Sequence, residues 1–268
     1  VSVTATEQLL ELFRADNSHA VFVTGAGISI ASGIAPFRGT ADAVWEQDVL
    51  DKGTNAFFLR HPDQSWSWYL SRFDKCRAAE PNPAHQAIAD IEQWHKAQDR
   101  GFDLITQNVD GLHLKAGSRH VTECHGAARY MRCTNRYCEK GPPKGLIDWD
   151  EGLLAEFRKN PCLETVPRCP LCAKYLRAHV LWFDESYSGH YAYGMDHIER
   201  LMDQMTVLIF AGTSFAVTIT DMMMTAAYQS AVPMFNIDPN AGELDGMTHI
   251  RAKAEEFLPK LAVQVRKG

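Results

Sequence analysis

No apolar run in the 268 residues approaches the ~18 consecutive residues of a membrane-spanning helix. A dense block of lysine and arginine is also missing. The totals are 27 basic against 33 acidic side chains, a formal charge of −6. A mildly acidic chain of this kind excludes nucleic acid and anionic membrane as primary partners. There is no internal repeat and no low-complexity linker, which excludes a solenoid or a string of tethered modules. Val1 to Asp16 has neither the basic-then-apolar layout of a secretory signal nor the Arg/Ser richness of a transit peptide. It reads instead as an amphipathic helix carrying Glu7 and Glu11. Seven cysteines is an odd number, which a complete disulfide framework cannot use up. The expectation is therefore an intracellular protein in a reducing compartment, the cytoplasm first, with mitochondrion and nucleus open, and with some thiolates on a metal.

What is present is ordinary globular material. Hydrophobic residues make up 46% and charged residues 22%, enough to build a core and too apolar for a disordered chain. Short apolar β runs occur at 19–24, 102–106, 178–182, 205–211 and 232–237, and continuous stretches like these suit strands buried on both faces of a parallel sheet. Helical segments lie between them. The clearest starts at Asn82 as N-cap with Pro83 at the first helical position, then runs through Ala84, Ile88 and Ile91. This alternation predicts an α/β fold with a doubly wound parallel sheet. Residues 40–81 (helical, rich in aromatics) and 128–177 (five cysteines, five prolines) break the pattern. Together they predict a smaller lobe, with the sheet domain formed by 1–39, 82–127 and 178–268.

In the second insertion Cys133 and Cys138 are separated by four residues, and Cys169 and Cys172 by two. Two short cysteine pairs on turns can close a tetrahedral zinc site, with no open position for chemistry. Ordinary buried thiols are the alternative, and a Pro-rich insertion with little else to form a core argues against it. Cys76, Cys124 and Cys162 belong to neither pair and read as packing residues. The triple Met222-Met223-Met224 likewise reads as helix packing.

Gly25-Ala26-Gly27 follows the first strand and precedes a helix, where backbone amides and the helix dipole could hold a pyrophosphate. A dehydrogenase fingerprint would carry a third glycine where this chain has Ile30. The surrounding residues are more specific. Gly25-Ala26-Gly27-Ile28-Ser29, Ser32-Gly33-Ile34 and Phe37-Arg38-Gly39 resemble the signature of the sirtuins, the NAD-dependent protein deacylases. The resemblance continues through Thr106-Gln107-Asn108-Val109-Asp110-Gly111-Leu112-His113, His125-Gly126, the two cysteine pairs, His179-Val180-Leu181-Trp182-Phe183, Gly212-Thr213-Ser214 and Asn236-Ile237-Asp238. These blocks keep the family order over roughly residues 20 to 240. The sequence departs from the pattern at Ala31, Ala35-Pro36, Ala127 and Asp184. The last touches the segment that pairs with substrate backbone in the family.

The resemblance implies a Rossmann-like sheet, NAD as cosubstrate, one structural zinc on the four cysteines, and acyl-lysine proteins or peptides as substrates; it leaves the oligomeric state open. It implies cofactor contacts from Gly25, Ala26, Gly27, Ile28, Phe37, Arg38, Gln107, Asn108, Asp110, Gly212, Thr213, Ser214, Asn236 and Asp238. The implied catalytic residues are Asn108 and Asp110 at the nicotinamide end and His125 as general base, a role that suits a neutral imidazole. Phe37, Val180, Trp182 and Phe183 would line the passage for the acyl-lysine. A catalytically silent NAD-binding scaffold would need no base, so Asn108, Asp110 and His125 together argue against it. A protein mono-ADP-ribosyltransferase is a closer competitor, because it shares the NAD cleavage step.

Tyr69 and Arg72 stand i, i+3 in a helical stretch and so share one face. Anchored on Glu80-Pro81-Asn82, they resemble the Tyr-x-x-Arg pair of the sirtuins that remove succinyl and malonyl groups. An arginine fork and a phenol are suited to a carboxylate. Gly53 falls where that subclass carries a small residue, which would widen the acyl pocket. The alternatives are a surface arginine beside a packed tyrosine, and a general lysine deacetylase.

Overall fold

A computed structural model describes residues 4–35, 49–240, 242 and 244–267. Phe37 and Arg38, expected at the cofactor and substrate, lie outside the described residues.

The first helix, α1 (Ala5–Arg14), is opened by a capping box in which Thr4 and Glu7 satisfy each other's backbone amides. It leads into β1 (His19–Thr24), where the apolar run forms the middle of a six-stranded parallel sheet. The other strands are β2 (Gly101–Thr106), β3 (Val121–Glu123), β7 (Val207–Ala211), β8 (Met234–Ile237) and β9 (Met247–Ile250), in the order β3-β2-β1-β7-β8-β9. Side chains alternate across each strand. Ala20 and Phe22 join Val207 and Ile209 on one face; Val21 and Val23 join Leu208 and Phe210 on the other. The first face is covered by α1, α4 (Pro83–Ala97) and α9 (Ala254–Arg266). The second is covered by α7 (Met195–Gln204) and α8 (Thr218–Gln229), with Met223 buried as helix packing. Both faces being covered is why these strands read as unbroken apolar runs. The Asn82 side chain caps α4 as expected, accepting from the Ala84 amide.

Two expectations about this sheet are corrected. The run at 178–182 is not one of its strands. The observed β6 (Leu176–Val180) pairs antiparallel with β4 (Gly126–Cys133), which also pairs with β5 (Ile147–Asp148), in a separate three-stranded sheet. All five β6 residues are buried, so apolar content alone could not say which sheet they join. The pairing of β4 with β6 runs across the expected boundaries at 127/128 and 177/178. The edge strands β3 and β9 were not read from the sequence, because they are three and four residues long and largely half-buried.

The small sheet packs against α3 (Pro62–Ala78), which buries Trp66, Tyr69, Leu70 and Phe73. Trp66 fixes the register by donating its indole N–H to the Leu176 carbonyl at 2.8 Å. Ahead of α3 lies the short α2 (Asn55–Arg60), whose first two amides donate to the Asp184 carboxylate at 2.7 and 3.0 Å. Asp184 therefore ties the loop after β6 to the helical insertion, and a glycine there would lose that tie.

Candidate active site

The sheet order reverses at β1, which has β2 on one side and β7 on the other. Ligands of doubly wound sheets bind at the carboxyl ends of strands flanking such a point. The predicted residues converge there: the glycine loop after β1, Gln107 to Asp110 after β2, Gly212 to Ser214 after β7, and Asn236 within β8.

The glycines are needed for loop-on-loop contact. The Gly25 amide donates to the Ala211 carbonyl at 3.2 Å, and the Gly27 amide to the Gly212 carbonyl at 2.8 Å. A Cβ on Gly25 or Gly27 would sit 2.8 or 2.7 Å from the Gly212 carbonyl oxygen, and Gly212 holds φ +62°. The Ile28 amide donates to the Gly25 carbonyl, and the Ile28 side chain is in the core. Three of the loop's amides are already engaged, and the next element is a 3₁₀ helix (Ala26–Ser32), not an α-helix.

Polar side chains above this loop are closely tied. Asn108 Nδ2 donates to the Gly25 carbonyl at 3.0 Å and to Ser29 Oγ at 3.1 Å. Ser29 donates to Asp110 Oδ2 at 2.8 Å, while Asp110 Oδ1 accepts from the Leu112 amide at 3.0 Å. Burial raises the Asp110 carboxyl pKa despite these bonds. Gln107 Nε2 donates to Thr213 Oγ1 at 3.1 Å, joining the β2 and β7 loops. Asn236 is buried with Oδ1 lacking a partner, an acceptor that suits a ligand hydroxyl. Ser214 is exposed at the rim, and Asp238 closes a turn by accepting from the Asn240 amide at 2.7 Å.

His125 follows β3. Its Nδ1 lies 3.0 Å from the Gln107 carbonyl, and its Nε2 lies 2.9 Å from the Tyr187 hydroxyl. A carbonyl only accepts, so Nδ1 carries the proton and Nε2 the lone pair. Burial lowers the His125 pKa to about 4, which keeps the ring neutral and basic at neutral pH.

Beneath these residues lies a network that sequence reasoning missed. Thr24 Oγ1 bonds Thr106 Oγ1 at 2.9 Å and His113 Nε2 at 3.0 Å, and the His113 ring lies 4.7 Å from the tilted His85 ring. Ser29 stood inside the glycine motif, and His85 sits three residues past the Asn82 cap; those positions were the available signals. Burial holds His85 and His95 at about 4, and His113 and His179 well below the usual imidazole value. The sign follows directly. The unfolded chain protonates near 6.5 while the folded imidazoles stay neutral, so proton uptake favours unfolding. Stability from this source is complete above about pH 6.5 and falls as the pH drops toward 4. Asp110 and Glu123, whose carboxyls burial raises, act in the opposite sense, their burial costing least where they are protonated and more as the pH rises through their raised pKa. A thermal melting point that stays flat from pH 7 to 4.5 would contradict this expectation.

One wall of the site is apolar. Val180, Trp182, Tyr69 and Phe58 share a buried cluster, with the Trp182 ring 5.3 Å from Phe58 and 6.3 Å from Tyr69. Phe183 is 56% exposed and covers Gly53. A Cβ on Gly53 would meet the Phe183 ring at 2.9 Å and the Val49 carbonyl at 2.7 Å. The small residue there answers to this contact, which corrects the expectation of a widened pocket. Arg72 Nη1 donates to the Trp68 carbonyl at 3.0 Å, and its guanidinium lies 3.7 Å over the Trp68 ring.

Sγ atoms of Cys133, Cys138, Cys169 and Cys172 all lie within 4.8 Å of one another. Cys133–Cys172 is 3.4 Å and Cys138–Cys169 is 3.7 Å, far beyond a disulfide bond. Tetrahedral zinc with Zn–S near 2.3 Å separates its sulfurs by ~3.8 Å, so the donor set fits the metal. Cys76 and Cys124 are buried away from this group and Cys162 is half-buried.

The parallel sheet, its polar switch point and the four-cysteine knuckle define a dinucleotide-binding α/β protein with a zinc-stapled small lobe. The Sir2 family model matches residues 25–219, and the chain belongs to that family. It is 37% identical over 253 residues to an NAD-dependent protein deacylase of Aeropyrum pernix, covering 92% of this chain and 93% of the relative. It is 33% identical over 265 residues to NAD-dependent protein deacylase 1 of Archaeoglobus fulgidus, covering 98% of each. The crystal structure of a Sir2 homolog–NAD complex superposes with a TM-score of 0.79 at 31% identity, covering 99% of this chain and 96% of that one.

Proposed function

We propose that the protein is an NAD-dependent protein lysine deacylase that releases nicotinamide, free lysine and O-acyl-ADP-ribose, and that its acyl groups include succinyl and malonyl. The observation that carries the reading is the neutral His125, just past the carboxyl end of β3, with Asn108 and Asp110 just past that of the adjacent β2. Bound NAD supplies an electrophilic ribose carbon, which the acyl oxygen of the modified lysine captures. Asn108 and Asp110 orient the nicotinamide end, held in place by Ser29. Gln107, Thr213, Ser214, Asn236 and Asp238 form the ribose and phosphate side, with the backbone around Ala26. His125 takes a proton from a ribose hydroxyl at Nε2. Val180 and Trp182 exclude water along the lysine methylenes, which matters because a cation-like transition state is captured by any nucleophile present.

Tyr69 lies against Trp182 in that apolar wall, and Arg72, one turn on, lies over Trp68. This placement supports their reading as the carboxylate-recognising pair for succinyl- and malonyl-lysine.

Mass spectrometry of acyl-lysine peptides treated with protein and NAD tests both levels. Deacylation removes mass from the peptide, whereas ADP-ribosyl transfer adds it. Truncating one member of a buried charged pair costs ~2–5 kcal/mol, so Arg72→Met is expected to lower desuccinylation efficiency at least roughly tenfold while sparing deacetylation. Wild-type preference for acetyl-lysine, or an equal loss of both activities in Arg72→Met, would leave a general deacetylase.

A further inference from the structure

The Tyr187 hydroxyl lies 2.9 Å from His125 Nε2, in the turn that follows the Trp182–Phe183 segment, and was not itself a predicted site residue. With Nδ1 committed to the Gln107 carbonyl, Nε2 holds the only in-plane lone pair of the ring. The phenol is therefore the donor. It is also neutral, because burial raises its pKa. The body of Tyr187 packs against the β1 and β7 face of the sheet, and the Ile219 amide at the start of α8 acts on the same oxygen. Cys124 also acts on the phenol; its buried thiol is held neutral and donates to the Thr106 carbonyl at 3.2 Å. One lone pair accepts one strong hydrogen bond. A ribose hydroxyl that gives its proton to Nε2 must take the place that Tyr187 occupies.

We propose that Tyr187 is a positioning residue that caps the base nitrogen in the substrate-free protein and is displaced as the site fills. This rests on the reading of His125 as the general base. The cap holds the Nδ1–H tautomer and masks Nε2 until substrate arrives. Its place in the chain suits displacement. Tyr187 opens a 3₁₀ turn (Tyr187–Gly189) flanked by exposed Ser186, Ser188 and Gly189. Two residues upstream, Glu185 is anchored by Arg177 at 2.6 Å, Arg132 at 3.2 Å and the Trp182 amide at 3.1 Å. The turn is thus held through Glu185 on one side, where the peptide is proposed to dock, and through buried His190 on the other. A peptide laid along that segment pushes on the residue that covers the base.

Tyr187→Phe removes one oxygen and keeps the ring packing. The displacement cost then disappears from the step that takes free protein to complex. ADP-ribose, which carries the same ribose hydroxyls, should bind roughly threefold to tenfold more tightly by calorimetry, the worth of one neutral hydrogen bond. Acyl-peptide kcat/KM should rise by the same factor with kcat unchanged. By NMR, the His125 ring of the free protein should titrate about one pH unit higher, because a donor to the neutral imidazole has been removed. Equal ADP-ribose affinities with an unmoved His125 titration would overturn the cap. A tenfold fall in kcat with unchanged ADP-ribose affinity would also overturn it, since Tyr187 would then stay on the base as a proton relay. If neither protein binds ADP-ribose, the functional reading of the site fails, and the His125 titration alone still decides for or against the cap.

Discussion

Replacing His125 with alanine should abolish deacylation, by ~10²–10⁴-fold, the usual contribution of a general base. The fold and most of the NAD affinity should survive. His125 is half-buried, and its two side-chain bonds are to a loop carbonyl and to Tyr187, so its loss leaves the sheet and the glycine-loop contacts in place. Nicotinamide release precedes the base-dependent step, so the variant should still exchange nicotinamide while failing to form free lysine. Single-turnover assays that follow the two products separately check this. With the His125 pKa lowered to about 4 by burial, the base is already deprotonated at neutral pH, and an acid limb from this residue in kcat/KM belongs well below 6.5. Near-normal turnover by a folded His125→Ala protein would remove the residue from the mechanism.

Much of this site was legible because the chemistry sits at fixed points of a regular pattern. Apolar runs buried on both faces announce parallel strands, and β1, β2, β7 and β8 were all found that way. The residues placed just beyond their carboxyl ends are the ones that meet in space. The cysteine knuckle was legible for a different reason, since tetrahedral ligation constrains spacing within each short pair. What escaped was information carried by tertiary contact. The apolar run around β6 looks the same whether it pairs in parallel or antiparallel, and only its partner β4 decides. Gly53 looks like an open pocket until Phe183 is seen to cover it. Gly25 and Gly27 gave no sign of the β7-loop carbonyls their amides meet until the fold brought the two loops together. Tyr187 sits 62 residues from the base that it touches, in a turn without periodicity, so nothing local marks it.

Zinc is expected to hold the small lobe and to perform no chemistry, which makes its removal a folding experiment. Cys133 ends β4, Cys138 lies in the turn just after it, and Cys169 and Cys172 lie in the knuckle that leads into β6. The metal therefore joins the end of β4 to the start of β6, two paired strands of the small sheet. Cys133 and Cys169 also belong to the buried cluster containing Tyr69, Val180 and Trp182, so the same staple supports the apolar wall of the acyl site. Structural zinc contributes ~10–16 kcal/mol of binding energy in small metal-folded domains, more than the ~5–15 kcal/mol of net stability typical of a whole domain. Cys169→Ser should then sharply reduce folded yield and metal content, with activity falling in step with the folded fraction. Surviving folded molecules that hold metal should turn over at the wild-type rate, because none of the four sulfurs belongs to the reacting groups. Metal analysis alongside circular dichroism and specific activity separates the two effects. Fully active protein carrying well below one zinc per chain would defeat the four-cysteine site. Activity lost faster than fold would instead mean that the metal shapes the Trp182 wall even where the small sheet stays paired.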